Sequence, residues 1–464
     1  MLDRRTFLAA AAAACSRRRA TPRALDRRTF LAAAAAAAGA GQAEAQLALE
    51  GGRPVREKPL HADYWGPQYY DDKERAELLE VLETGRPFRW WGRGTQPPMK
   101  AATFEKEFAA RMQTRYALAV TSGTAALQCA LAALEVGPGD EVILPAWTWH
   151  SCFNTIVHAG ALPVFAEIDE SFNIDPNDIE SKITPATKVI MAVHLQGTPA
   201  DLDPILRIAR KHKIRVLEDC AQAVGGDYKG KPLGSHGDIG IYSLQLNKTI
   251  TAGEGGAVVT NDIVLFERAV RFHDLGGLRP FHERMITEPK MGWFFGTNYR
   301  INEFTAGVLL AQLRKLDTIV AAVRNNARRV YEGVRDLPGI RFRRQPDPAG
   351  ELGAGVFIDF GTRERRDQFL RAMKAEGVPA SPPSGSVILP TLPHVMNKVT
   401  VHPKWPSFTV GRGATIKYGP ETCPRTLDIL GRFGGVSMDP KFTERDCQDI
   451  IKAIRKVYPA VMRA

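Results

Sequence analysis

The sequence predicts an α/β fold: a mostly parallel, seven-stranded sheet between helices, followed by a smaller C-terminal α+β domain. Two patterns predict it. From residue 117 short apolar runs alternate with stretches of helical spacing, as in a sheet covered on both faces. After Pro338 that alternation gives way to a mixed pattern. The predicted strands are 117–120, 141–144, 162–165, 188–193, 214–217, 239–242 and 257–260. Helices are predicted over 124–133, 154–158, 178–182, 201–212 and 263–272, preceded by 71–83 and 104–112. Residues 302–337 read as one long helical connector. Beyond it, 340–343 and 355–359 read as strands, and 364–376 and 444–457 as helices. Residues 378–422 are rich in Pro and Gly, and no regular element is predicted for them. The expected domains are 46–320, an N-terminal arm and large domain, and 321–464, the small domain.

Composition agrees with a folded protein. Of 464 residues 44% are hydrophobic and 24% charged, which excludes a disordered or collagen-like chain. No run of 18 apolar residues follows residue 45, so a polytopic membrane protein is excluded. The net charge is +11, but residues 1–45 carry eight Arg against three acids, so only +6 is spread over the rest. That balance, without a dense basic stripe, argues against nucleic-acid binding. The six cysteines form no C-x-x-C pair, so no metal site is expected and they read as buried small hydrophobes.

Residues 1–45 read as an address. LDRRTFLAAAAAA occurs twice, at 2–14 and 25–37. The second apolar stretch, 30–40, is too short to span a bilayer and is followed by Ala43-Glu44-Ala45, a small-x-small cleavage site. With Arg27-Arg28 this is a twin-arginine export signal, so the protein is expected in the periplasm or secreted, or in the cytoplasm if the true start lies further on. The competing reading is an Ala-rich amphipathic helix.

Chemistry is expected at the strand ends. Ser122-Gly123-Thr124-Ala125 follows a strand and opens a helix, whose free N–H groups and dipole either bind a phosphate or are simply capped by Ser122 or Thr124. Asp219, in EDCAQ at the end of 214–217, is either a helix-starting residue or a carboxylate that pairs with a cationic ring nitrogen. Lys248 lies between an apolar strand and the turn Gly253-Glu254-Gly255-Gly256, where a buried amine could form a Schiff base. Trp90 and Trp91 are either a platform for a sugar ring or part of a packed arm or dimer contact. His194 either lines the site or is a satisfied core histidine.

Together SGTAAL, DEVILPAWTW, GALPVFAEID, VHLQGTPADLD, EDCAQAVGG, SLQLNKTITAGEGGAVVTND and GTNYRINEF resemble the DegT/StrS-type sugar aminotransferases. The match runs in order from about Leu47 to the C-terminus. LALEGGRPV and CPRTLDIL resemble the subgroup that aminates cyclitol ketones. The resemblance implies the fold type I architecture of aspartate aminotransferase and pyridoxal 5'-phosphate as cofactor. It implies Lys248 as the internal-aldimine lysine and proton shuttle, and Asp219 as the partner of the pyridine nitrogen. Gln222 would contact the ring hydroxyl and Trp149 would stack on the ring. Ser122, Gly123, Thr124, Ala125 and Ser243 would hold the phosphate. Asn298 would reach it from a neighbouring subunit, which implies a homodimer with shared active sites.

The implied reaction takes an amino group from glutamate or glutamine, through a pyridoxamine intermediate, to a keto sugar or keto cyclitol. The alternative is an exported non-catalytic or regulatory protein that binds the same cofactor. The sequence departs from the pattern of many relatives at Gln245, where His is common, and at Gln196, where Tyr is frequent. Both departures are expected on the substrate side. Gln cannot titrate but can hydrogen-bond a hydroxylated substrate.

Overall fold

The computed structural model describes residues 46–89 and 98–463; the leader and the Trp90-Trp91 pair lie outside the described residues. Pro54–Ala464 forms one compact unit. The segment up to Arg53 is a separate one, whose described part holds a single 3-10 turn, Ala48–Glu50.

Seven strands make the main sheet: β1 (Tyr116–Val120), β2 (Glu141–Pro145), β4 (Leu162–Ala166), β5 (Thr187–Val193), β6 (Arg215–Asp219), β9 (Ile239–Ser243) and β10 (Gly256–Thr260). Short pairs fill the numbering: β3 (Trp147–Thr148), β7 (Asp227–Tyr228) and β8 (Lys231–Pro232). The spatial order is β1-β10-β9-β6-β5-β2-β4. All neighbours from β9 to β4 pair in parallel, and only β10 runs against the rest. Each of the seven predicted runs is therefore a strand of this sheet.

Alternate residues feed two separate cores, as the period of two in a strand requires. Val142, Leu144, Val189, Met191 and Val193 pack on one face, under α3 (Gly123–Ala133), α4 (His150–His158) and α7 (Ile263–His273). Ile143, Ile190, Ala192 and Tyr242 pack on the other with α2 (Lys100–Arg111) and α6 (Leu202–His212). The remaining longer helices are α1 (Asp72–Thr84), α5 (Pro176–Lys182), α8 (Glu303–Leu313), α9 (Leu316–Val334), α10 (Arg363–Ala375), α11 (Pro424–Arg432) and α12 (Glu444–Arg463). No helix among the described residues is long and apolar enough to cross a membrane. Cys129, Cys152, Cys220, Cys423 and Cys447 are all buried and unpaired.

The structure corrects three local expectations. The single helix over 302–337 is two, α8 and α9, although no Gly or Pro separates them. Lys315 sits at the break and turns its ammonium onto Glu74 at 2.7 Å and the Tyr69 carbonyl at 2.5 Å, a tertiary contact invisible in local spacing. Residues 340–343 contribute only one bridge, Phe342 to Ile358. The partner of β11 (Gly355–Asp359) is instead β13 (Phe433–Ser437), whose paired glycines hide it as a strand. Gly435 is needed there, because a Cβ would stand 2.3 Å from the Val356 carbonyl. The Pro/Gly-rich stretch does hold a two-residue β12 (Val387–Ile388), paired with β3.

Strand β6 carries two acids into the core. Glu218 is fully buried and accepts bonds from the N–H groups of Gly234, His236 and Gly237 at 2.6–2.8 Å and from His194 Nε2 at 3.1 Å. Burial alone would raise its pKa; the His194 bond, both nearby imidazoles and the Gly237 N–H outweigh it and hold the carboxyl at about 2. Because its folded pKa lies below the unfolded value near ~4.3, Glu218 stabilises the fold above that pH, and the contribution is lost as pH falls through about 2. Glu218→Gln is expected to cost about 2–4 kcal/mol at neutral pH, since an amide N–H would face donors it cannot satisfy. Urea unfolding followed against pH should also show a shallower loss of stability below pH ~4 in the variant than in the wild type. An unchanged acid limb would refute this role.

Candidate active site

The C-terminal ends of β5, β6 and β9 and the first turn of α3 meet around a cavity of about 560 Å³. Ser122 caps α3: its Oγ accepts from Ala125 N–H at 3.0 Å. Ala125 N–H is thus already engaged, and Ala125 does not line the cavity. Gly123 and Thr124 do line it, and the N–H groups that open a helix have no intrahelical acceptor. Thr124 Oγ1 lies 2.8 Å from Ser151 Oγ. Ser243 closes the cup from β9, so near that a Cβ on Gly123 would stand 2.6 Å from its Cβ. Only glycine permits this approach. Two N–H groups and two hydroxyls around a helix N-terminus suit a phosphate.

Asp219 ends β6 on the cavity floor, 3% exposed. Its Oδ1 accepts from Ala221 N–H at 2.9 Å and its Oδ2 from the Cys152 thiol at 3.2 Å. Burial raises the Asp219 pKa, against the lowering pull of those two bonds and of Lys248. Burial and the neighbouring Asp219 carboxylate also push the Cys152 thiol well up, so it stays protonated and donates.

Lys248 sits in the turn after β9, its N–H on the Gln245 carbonyl at 2.9 Å. Burial lowers its pKa, opposed chiefly by Asp219. An amine displaced toward neutrality is a better nucleophile and base. Trp149 precedes α4 and lines the cavity with a half-exposed ring, anchored because Thr148 pairs with Val387 of β12.

Gln222 ties the cavity wall to a strap at 384–386. Its Nε2 donates to the Gly385 carbonyl at 3.1 Å and to Ser386 Oγ at 3.0 Å, and its Oε1 accepts from Gln196 N–H at 3.0 Å. Gln196, in the left-handed region at φ 49°, donates its Nε2 to the Ser384 carbonyl at 2.6 Å. Both sequence departures, Gln196 and Gln245, line the cavity.

Asn298 is not brought to this cavity. Its Oδ1 accepts from Arg300 N–H at 3.3 Å, and its backbone pairs with Asp274. His194 is a satisfied core histidine: Nδ1 accepts from Ala200 N–H at 3.0 Å and Nε2 faces Glu218. His194, Glu218 and Cys220 cluster at metal-ligand distances, but both ring nitrogens and both carboxylate oxygens are already hydrogen-bonded. Sequence reasoning missed Cys152, Trp65, Phe357, Ser384 and Ser437, all of which line the cavity. Four of the five come from segments remote in the chain, and only the irregular Pro/Gly-rich stretch around Ser384 hinted at a loop of this kind.

A phosphate cup, a buried carboxylate and a buried lysine with lowered pKa share one cavity, and this set fits a pyridoxal phosphate. The sequence profile described as the DegT/DnrJ/EryC1/StrS aminotransferase family matches residues 69–391. The chain belongs to this family.

Its relatives include the L-glutamine:2-deoxy-scyllo-inosose aminotransferase of Streptomyces kanamyceticus, 38% identical over 64% of this chain and 72% of that protein. The GDP-perosamine synthase of Caulobacter vibrioides is 37% identical over 67% of this chain and 81% of its own length. The crystal structure of 3-amino-5-hydroxybenzoic acid synthase superposes with a TM-score of 0.71 at 30% identity, covering 88% of this chain and 100% of the other. The fold is that of the fold type I aminotransferases, and the protein is a transaminase dependent on pyridoxal 5'-phosphate. With Lys248 and Asp219 both in the cavity, the non-catalytic alternative is disfavoured.

Because a Cβ at Gly123 would collide with Ser243, Gly123→Ala is expected to weaken pyridoxal phosphate binding at least ~10-fold in equilibrium dialysis. Gly431→Ala, a helical site with nothing within 4 Å, should leave it unchanged. Equal affinities for the two variants would count against the phosphate cup.

Proposed function

We propose that the protein moves an amino group from glutamine or glutamate to the carbonyl carbon of a keto sugar or keto cyclitol. The observation that carries the proposal is the convergence of Lys248, Asp219 and the first turn of α3 on one cavity. The relatives' named reactions on scyllo-inosose and perosamine derivatives support this substrate class.

The cofactor, when bound, supplies an electron sink for the carbanion left at substrate Cα. The rest is the work of this chain. Gly123, Thr124 and Ser243 would hold the phosphate, and Asp219 would hold a proton at the pyridine nitrogen. The ionised Asp219 carboxylate, screened little by water in its buried position, favours the protonated nitrogen more strongly than a solvated carboxylate could. The Lys248 amine would take the proton from substrate Cα and pass it to C4′ of the cofactor, which returns the lysine to its free-amine form. Trp149 would cover the ring and exclude water.

Export and assembly belong to the same proposal. The twin Arg27-Arg28 leader supports transport outside the inner membrane, and the position of Asn298, away from its own cavity, supports a homodimer in which it serves the other subunit.

The purified holoenzyme is expected to absorb near ~410–430 nm, and Lys248→Ala to lack that band and lose turnover at least ~10³-fold. Glutamine or glutamate should bleach the wild-type band. A wild type that stays colourless with added cofactor would overturn the catalytic reading. Fractionated cells are expected to hold a chain shortened by the leader, outside the inner membrane, sedimenting as two chains. An uncut cytoplasmic chain would refute export, and a monomer would refute the shared site.

A further inference from the structure

We infer that Thr148 and Cys152 form a donor relay onto Asp219: the Thr148 hydroxyl donates to the Cys152 sulfur, and the thiol donates to the carboxylate proposed above to hold a proton at the pyridine nitrogen. In this role both act through Asp219, so they are positioning residues. The inference rests on the aminotransferase reading and assigns two further residues to it.

Hydrogen counting sets the direction of the relay. Cys152 Sγ lies 3.2 Å from Asp219 Oδ2 and 3.2 Å from Thr148 Oγ1. Burial and the carboxylate itself keep the thiol protonated. A thiol has a single hydrogen, and an ionised carboxylate can only accept. The thiol hydrogen therefore goes to Asp219, and the Thr148 hydroxyl supplies the hydrogen between oxygen and sulfur. All three side chains are buried, so water competes little with either bond.

The relay meets two needs of Asp219. Ala221 N–H ties Oδ1 at 2.9 Å and the thiol ties Oδ2 from α4, so two separate segments set the plane of the carboxylate. Of its roughly four lone-pair sites, the rest stay free for a proton-bearing nitrogen. Donors to the ionised form also oppose the burial that favours a neutral acid, and a neutral acid would give that nitrogen no charge partner. One short stretch of chain builds the relay. Thr148 ends β3, where pairing with Val387 of β12 fixes it, and Cys152 follows four residues later in the first turn of α4. Trp149 lies between them and lines the same cavity. The stretch proposed to cover the ring therefore also steadies the acid on the floor.

Infrared spectra of the holoenzyme read the relay. The S–H stretch that disappears in Cys152→Ser belongs to Cys152, and it is expected at a lower frequency than that of a free thiol. It should rise in Asp219→Asn, whose neutral amide oxygen accepts more weakly, and in Thr148→Val, where the sulfur no longer accepts and becomes a poorer donor. Cys152→Ala is expected to weaken pyridoxal phosphate binding ~10-fold in equilibrium dialysis and to lower kcat ~10-fold, with KM for glutamine held within ~2-fold. Cys152→Ser keeps a donor and should recover most of both losses, whereas a packing role would make a buried hydroxyl no better than a methyl. Thr148→Val should move both values the same way by less, and it tests the relay with Cys152 in place if the alanine variant fails to fold. An S–H band that ignores Asp219→Asn, or a serine variant no better than the alanine one, would overturn the relay. Wild-type protein that binds the cofactor but is not bleached by glutamine or glutamate is the separate failure of the aminotransferase reading, and the infrared and dialysis results then still decide the relay.

Discussion

A carboxylate and an amine kept close together in a cavity that excludes most water set the terms for the rest of the site. Loss of solvent disfavours the charged form of each, so Asp219 is pushed up and Lys248 down, and each partly restrains the other's shift. Neither group could be held this way on a solvated surface. The parallel sheet makes it possible: β6 and β9 are adjacent, and each ends at the same edge. Asp219 closes one strand, and Lys248 follows five residues after the other. The supporting contacts are buried as well. Glu218, one residue before Asp219, is held by three N–H groups and an imidazole, which fixes the end of β6 from beneath.

The phosphate cup and the acceptor side are built by different means. The cup relies on close backbone approach. Gly123 faces Ser243 with no room for a methyl group, and a Cβ on Gly256 would meet the Ser122 carbonyl at 2.3 Å. The acceptor side relies on long-range hydrogen bonds instead. Gln222 and Gln196 hold the 384–386 strap, while β12 fastens the same segment to β3 beside Trp149. A change in the strap can therefore alter what the cavity admits without disturbing the cup. A neutral, amide-lined wall on one side and a polarised pair on the floor give the two halves distinct chemistry.

Much of this was legible in the chain. The seven apolar runs became the seven strands, because strands buried on both faces have to be apolar throughout. Their limits were less legible. Glu218 and Asp219 lie inside β6, although their charge ended the predicted run, because each is paired in the sheet and hydrogen-bonded where it is buried. The break between α8 and α9 comes from Lys315 reaching Glu74, a residue 241 positions away, and no local pattern encodes that contact. Strand β13 was hidden by Gly434 and Gly435, and the bare Cα of Gly435 lets β11 approach.

The residues to which the proposed chemistry is assigned, Lys248, Asp219, Gly123 and Ser243, were named from the sequence alone, since each role needs a particular functional group, or none, at a strand end or helix start. Tertiary structure decided what surrounds them. It placed Ser122 at the N-cap of α3 on the cavity wall and His194 in the core, and it set the Cys152 thiol against Asp219. It also brought Ser384 and Ser437 to the cavity of Asp219 and Lys248, which lie more than a hundred residues earlier. Hydrogen-bond geometry and burial depend on which segments meet, and that is a property of the packed sheet, not of any stretch of chain.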